Sequence, residues 1–219
     1  MSIQYVQDGD LFAAPVQALV IPVNCSGIAN TGLALQCKQH YPYWFEEYRN
    51  ICHDHLIWPG YPVLHSLEIA TKNRVKSHIG ADSSCARRFI VPDAETRQSI
   101  APCAEARRFI VPDAETRRFI APDTDTHRAS GRGTLTATAA DRWIIDFPTR
   151  EHWWLPSHLI HIEVGLMNLV SLCQNYRVPA LALPMLGCGD ENLRREQVQP
   201  LIEEHLSPLA IPIYIYIYI

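Results

Sequence analysis

Apolar residues recur along the chain with two different periods. Residues 3–6 are a short β-prone run, stopped by Asp8, Gly9 and Asp10. Residues 18–23 (ALVIPV) are apolar without interruption, the pattern of a strand covered on both faces in a parallel sheet. Residues 32–39 have helical character. A second helix is expected over 42–48, since Pro42 suits a first helical position. Residues 142–147 (RWIIDF) are again β-prone. From Pro156 and Ser157 a helix is expected to about Tyr176, with Leu159, Ile162, Leu166, Leu169 and Cys173 on one stripe. Residues 180–183 read as a short apolar strand and 195–206 as a helix that Pro200 should kink. Residues 211–219 alternate Ile and Tyr as a closing strand. Strands alternating with helices predict an α/β fold with a mostly parallel sheet. Ligands in such folds sit at the carboxyl ends of the strands, which singles out residues 22–32, 147–156 and 184–193.

One stretch breaks this alternation. Residues 87–96 and 107–116 both read RRFIVPDAET, 97–106 (RQSIAPCAEA) is a degenerate copy, and 117–126 reads RRFIAPDTDT. Each decamer carries one proline, which limits any strand or helix, and few large apolar residues. The tract reads as a tandem repeat inserted into a domain, loosely packed or disordered. Charge follows the same division. Residues 61–133 carry a net charge of +3 and the remainder −7, within a chain of 219 residues and net charge −4. The expected organisation is a core of 1–60 and 134–219 around an insertion at 61–133, with residues 64–69 able to belong to either. Long insertions cost little closure entropy, so the core can fold around one.

Composition narrows the class. At 47% hydrophobic and 19% charged the chain is globular, and its acidity argues against a bulk electrostatic grip on nucleic acid. No apolar run reaches the ~20 residues that span a bilayer. The first ten residues lack the pattern of a signal peptide, so a cytoplasmic location with no membrane is expected. The seven cysteines read as reduced thiols. Cys52, His53, Asp54 and His55 are adjacent residues that cannot converge on one ion, so neither a metal nor a cofactor is expected. Cys25 and Cys188 flank the candidate loops without a histidine that would make either a nucleophile.

Those loops carry a recognisable order of motifs. Gly9-Asp10-Leu11-Phe12 comes first, then Val23-Asn24-Cys25 leading through Gly27 to Gly32-Leu33-Ala34-Leu35-Gln36. Asp146-Phe147-Pro148-Thr149-Arg150 with His152-Trp153 follows, and then Leu183-Pro184-Met185-Leu186-Gly187-Cys188-Gly189. The chain resembles the macrodomain family, and within it the subgroup of the DarG antitoxin, over nearly all of 1–60 and 134–219. The resemblance implies a three-layer α/β/α sandwich with a mixed, mostly parallel sheet. It implies binding of ADP-ribose and hydrolytic release of ADP-ribose from thymidine bases in DNA. The implied partners are ADP-ribose or ADP-ribosylated DNA, together with an ADP-ribosyltransferase toxin; the domain itself is expected to be a monomer.

The resemblance also assigns residues. Asp10 accepts from the adenine amino group, with Leu11 beside it; capping its own turn is the alternative. Asn24 positions the distal ribose or, alternatively, pins its own loop. Gly32, Leu33 and Ala34 at a helix start, and Gly187, Cys188 and Gly189 after a strand, offer backbone N–H groups to the diphosphate. An acidic domain can hold an anion in that way. Thr149 is expected to bind the ligand, Arg150 lies near the scissile bond, and Asn24 and Arg150 are the expected catalytic pair, with Asp146 as a partner for Arg150. For Trp153 and Trp154 the alternatives are stacking on a base and packing their own loop, and packing is the expectation. The sequence departs from the subgroup at three points. Arg150 replaces a lysine, Ala29-Asn30-Thr31-Gly32 replaces a glycine- and lysine-containing run, and Asp190-Glu191 follows Gly189, expected to face solvent. Arginine keeps the charge but does not give up its proton. Three readings stay open: a hydrolase, an ADP-ribose reader without turnover, or an inactive relic.

Overall fold

The computed structural model describes residues 3–66, 142–190 and 192–218. Strand β1 (Ile3–Gln7) leads into a single 3-10 turn at Leu11–Ala13, and the long apolar run becomes β2 (Ala18–Asn24). Helices α1 (Gly32–His40) and α2 (Pro42–His53) follow, then β3 (Val63–Ser66) and β4 (Trp143–Arg150). Helix α3 (Leu159–Asn175), β5 (Leu181–Pro184), α4 (Arg195–Leu206) and β6 (Ile213–Ile217) complete the described order. The six strands form one sheet in the order β1-β6-β5-β2-β4-β3. Every neighbouring pair is parallel except β3, which runs antiparallel to β4.

Burial explains the alternation. Ala18 and Val20 of β2, with Ile145 and Phe147 of β4, face the core formed with α3 and α4 through Ile162, Leu166, Val198 and Ile202. Strand pleating sends Leu19, Ile21, Ile144 and Asp146 to the opposite face. There α2 presents Trp44, Tyr48, Ile51 and Cys52 on its inner stripe. Helices therefore cover both faces of a mixed, mostly parallel sheet, the three-layer architecture expected from the sequence. A Cβ on Gly165 would lie 2.3 Å from the Phe147 ring. That close approach seats α3 against β4 and fixes the strand that carries Thr149 and Arg150. Helix α4 runs through Pro200 as one helix.

The expected start of the insertion at residue 61 needs correction. Val63–Ser66 pairs with β4, Val63 opposite Asp146 and Ser66 opposite Trp143, so the core extends at least to residue 66. Its buried His65 contributes to the core directly. The decamer repeats, with the rest of the 61–133 stretch, lie outside the described residues. Among the described residues no helix is long and apolar enough to cross a membrane.

The sheet opens at one place. Strand β2 pairs with β4 from Ala18 to Asn24, with a register shift between Val23 and Asn24, but with β5 only at Ala18 and Leu19. The pairing between β2 and β5 thus stops well short of their carboxyl ends. Pro22 and Pro184, which have no amide to donate, lie in the segments beyond that pairing. Because these strands are parallel, the loops after β1, β2, β4 and β5 all emerge at this same end.

Candidate functional site

The loop after β2 is organised by Asn24. Its Oδ1 accepts from the Ser26 N–H at 3.0 Å, the Ser26 hydroxyl at 2.8 Å and the Ile28 N–H at 3.3 Å. Its Nδ2 donates to the Ile28 carbonyl at 2.7 Å. From below, the Tyr48 hydroxyl donates to the Asn24 carbonyl at 2.7 Å and lies 3.1 Å from Oδ1. Tyr48 in turn stacks on Trp44, with ring centroids 5.3 Å apart. Asn24 is buried, and the geometry makes it the pin of its own loop. Sequence reasoning missed Tyr48 as the residue beneath it.

The loop after β4 is bound to the first. Asn24 and Arg150 are register partners across an irregularity at Val23–Asn24, and the Cys25 N–H is shared between the Arg150 and Glu151 carbonyls at 3.1 and 2.9 Å. The Arg150 guanidinium donates to the Leu155 carbonyl at 3.4 Å and lies 3.6 Å from an Asp190 carboxylate oxygen. Asp190 therefore faces the loop cluster as well as solvent, which corrects the expectation of solvent alone. Glu191 lies outside the described residues. The expected pairing of Asp146 with Arg150 does not occur as a described contact. Asp146 is fully buried on the α2 side, accepting from Trp44 Nε1 at 2.7 Å and meeting His65 Nε2 at 2.8 Å. Four residues along an extended strand span about 13 Å, too far for the two side chains to meet. Thr149 is buried too, and its hydroxyl donates to the Val23 carbonyl at 3.3 Å, a tie between β2 and β4.

The tryptophans qualify another expectation. Trp153 and Trp154 pack against their own turn only in part, Trp154 on the His152 ring and Trp153 edge-on to Trp154, and stay 52% and 61% exposed. They are the two central residues of a turn closed by the Leu155 N–H on the His152 carbonyl at 3.1 Å.

The two glycine-bearing turns each place a glycine in the left-handed region of the backbone. Gly32 has φ +57° and starts α1; its N-cap, Thr31, makes no side-chain capping bond. The first amides of the helix at Gly32, Leu33 and Ala34 are therefore not satisfied by a cap. Gly187 has φ +70°, and a Cβ there would come 2.7 Å from Leu193 Cδ1; its carbonyl accepts the Leu193 N–H at 3.0 Å. Cys188 is half-buried and Gly189 exposed on the same turn. At the β1 end, Asp10 caps the 3-10 turn through Oδ1, accepting the Phe12 N–H at 2.8 Å. Leu11 buries its side chain, and its N–H meets the Tyr218 hydroxyl at 3.3 Å.

Electrostatically the site contains few cations. Arg150 is the guanidinium among the residues assigned to it, and Asp10, Glu151 and Asp190 are nearby acids. Backbone amides supply the remaining positive potential. Burial pushes the Cys25 thiol far above its usual value, with Cys52 and Glu151 adding to the effect. Cys25 is thus no nucleophile near neutral pH.

No sequence profile of a known family matches the chain. Individual proteins do. The chain is 28% identical over 209 residues, 95% of its length, to a DNA ADP-ribosyl glycohydrolase from Thermus aquaticus. It is 25% identical over 210 residues to a DNA ADP-ribosyl transferase–DNA ADP-ribosyl glycohydrolase fusion protein from Thermosipho africanus. It spans about two fifths of the length of these relatives (39% and 40%). Among solved structures, the macrodomain of Thermus aquaticus DarG superposes with a TM-score of 0.61 at 24% identity, covering 100% of this chain and 98% of the other. Thermosipho africanus DarTG in complex with ADP-ribose superposes with a TM-score of 0.62 at 22% identity, covering 99% of this chain and 42% of the other. With β2 and β5 parting at the end where all the candidate loops emerge, and with these relatives, the chain has the macrodomain fold and is similar in sequence to the DarG-type members of that family.

Proposed function

We propose that this chain binds ADP-ribose in the crevice between β2 and β5 and hydrolyses it from modified bases in DNA, the thymidine base being the attachment point that the resemblance implies. The carrying observation is the junction of Asn24 and Arg150, register partners at the mouth of the crevice and joined through the shared Cys25 amide. The diphosphate takes the uncapped amides of α1 and those of the Gly187 turn, and the adenosine half lies toward Asp10. The Thermosipho relative with the same fold was solved with ADP-ribose, which supports this placement.

Hydrolysis breaks the bond between the anomeric carbon and a base nitrogen. Water gives its hydroxyl to the carbon and a proton to the departing nitrogen. Arg150 stays protonated, so it acts by stabilising charge on the leaving base rather than as a base itself. Asn24 acts indirectly by holding the 25–28 loop against the ribose. An ADP-ribosyltransferase is the partner that supplies the substrate, since the Thermosipho relative carries both names in one chain.

A reader without turnover is the second reading. It is favoured by one observation: the Asn24 amide bonds within its own loop at both ends. Two measurements separate the readings. Calorimetry with ADP-ribose should show micromolar binding, and no heat at millimolar ligand would remove both. Single-turnover release of ADP-ribose from a thymidine-modified single-stranded oligonucleotide should then be detectable. Binding without release leaves the reader.

A further inference from the structure

The turn after β4 displays two tryptophans where turn chemistry has no use for them. Gly, Asn, Asp, Pro and Ser favour the central positions of a tight turn, whereas indole contributes nothing to its backbone. Yet Trp153 and Trp154 occupy those positions and are 52% and 61% exposed. Their orientation is fixed. His152 lies parallel to Trp154, centroids 4.6 Å apart and planes 3° from parallel, and Trp153 meets Trp154 edge-on at 5.6 Å and 90°. One face of the Trp154 indole is thus backed by an imidazole. With the ring more than half exposed, the opposite face is the surface presented outward. The turn is also anchored to the crevice: the Arg150 guanidinium donates to Leu155, its last residue.

We propose that Trp153 and Trp154 form a stacking platform for the bases of single-stranded DNA next to the modified nucleotide. The proposal rests on the reading of the crevice as an ADP-ribose site and names the macromolecule that carries the ADP-ribose. Every base has a π-face, so stacking on indole is tolerant of sequence. The charge around the turn points the same way. Arg150 lies 3.6 Å from Asp190 and is followed in sequence by Glu151, so among the described residues the turn itself offers phosphates no net positive charge. Affinity gained here comes from ring faces rather than from counterion release. A folded protein partner fits less well. Stable protein interfaces bury more than about 1,000 Å², and a two-ring turn tip is too small a feature for that.

The test uses the full chain with four ligands: ADP-ribose, ADP-ribosyl-thymidine, a thymidine-modified single-stranded oligonucleotide and an ADP-ribosylated peptide. Trp154→Ala should weaken oligonucleotide binding roughly tenfold to hundredfold, the effect of losing one stacked base. ADP-ribose affinity should stay within about twofold, since the platform lies outside that subsite. Trp154→Phe should recover most of the loss, and Trp153→Ala should show a smaller one. Wild-type preference for the oligonucleotide over ADP-ribosyl-thymidine should change little between low and high salt. Unmodified oligonucleotide should quench tryptophan fluorescence in the wild type and much less in Trp154→Phe.

Oligonucleotide affinity unchanged in Trp154→Ala overturns the platform. So does an equal loss for ADP-ribose, which would make the turn merely structural, or a loss confined to the peptide, which would make it a protein-docking tip. A wild type that fails to bind ADP-ribose overturns the crevice reading instead, and quenching by unmodified oligonucleotide still decides the platform.

Discussion

His65 Nε2 and Asp146 Oδ2 face each other at 2.8 Å, with both side chains closed off from solvent. On its other nitrogen, His65 meets Glu47 of α2 at 3.1 Å. Burial alone pushes the imidazole toward its neutral form, but the Asp146 and Glu47 carboxylates outweigh it and the pKa is raised to about 9. The imidazolium thereby ties α2 to the edge strand β3 and to β4, beneath the strand end that carries Arg150.

The sign of the pH effect follows. The folded pKa lies above the unfolded value of about 6.5, so the stabilisation is complete below that pH and is lost as pH rises through about 9. Its size is on the order of 3 kcal/mol. Wild-type unfolding midpoints in urea should fall between neutral pH and pH ~10. His65→Gln should be less stable at pH ~6 and should lack that part of the decline. Parallel pH profiles for the two proteins would show that the pair carries no net proton.

Arg150 decides how the crevice does its chemistry. If a fixed positive charge beside the leaving base suffices, Arg150→Ala should lose roughly 10²–10³ in single-turnover rate while ADP-ribose still binds. Arg150→Lys should retain activity. A wild type that is nearly inert, with activity appearing in Arg150→Lys, would mean that the amine itself must exchange a proton or attack.

Tyr48 should matter to binding without touching the ligand. Tyr48→Phe leaves the Asn24 carbonyl short of a donor and should destabilise the domain by about 1–3 kcal/mol. Asn24→Ala should release the 25–28 loop and weaken ADP-ribose binding more than Tyr48→Phe does. Thermal melts and calorimetry on both variants test this order. Full-strength binding by Asn24→Ala would remove the loop from the site.

The turn after β5 offers an internal control. Gly187→Ala places a Cβ 2.7 Å from Leu193 at φ +70°, whereas a Cβ at Gly189 meets nothing within 4 Å. Gly187→Ala should cost about 1–3 kcal/mol in stability and weaken ADP-ribose binding with it. Gly189→Ala should melt within about 0.5 kcal/mol of wild type. Equal melts for the two would show that the Gly187 backbone is not under that constraint.

Much of this arrangement was legible in the residues. The ALVIPV run gave a central strand, because only a strand covered on both faces can be apolar at every position. The stripe from Leu159 to Cys173 gave α3, and residues 195–206 gave α4 with the bounds the structure shows. What escaped were relations between distant residues. Tyr48 and Asn24 meet because α2 crosses the end of β2, and Trp44, His65 and Asp146 meet across three elements. A single sequence encodes no such pairing. Asp146 and Arg150 were matched by their spacing, which a helix would have honoured and a strand does not. Val63–Ser66 was hard to assign for a different reason. Four residues at a sheet edge have too short a pattern to separate from a flanking loop.

The shared amide of Cys25 has a mechanical consequence. One N–H divided between the Arg150 and Glu151 carbonyls joins the two loops into a single rim. The start of the Asn24 loop and the start of the tryptophan turn are therefore held to one another. The chain after β5 is joined to that rim by a weaker contact. Its tie to Arg150 is the 3.6 Å ion pair of Asp190, whose carboxylate is 68% exposed. Such a contact gives way at a cost of about 1 kcal/mol or less.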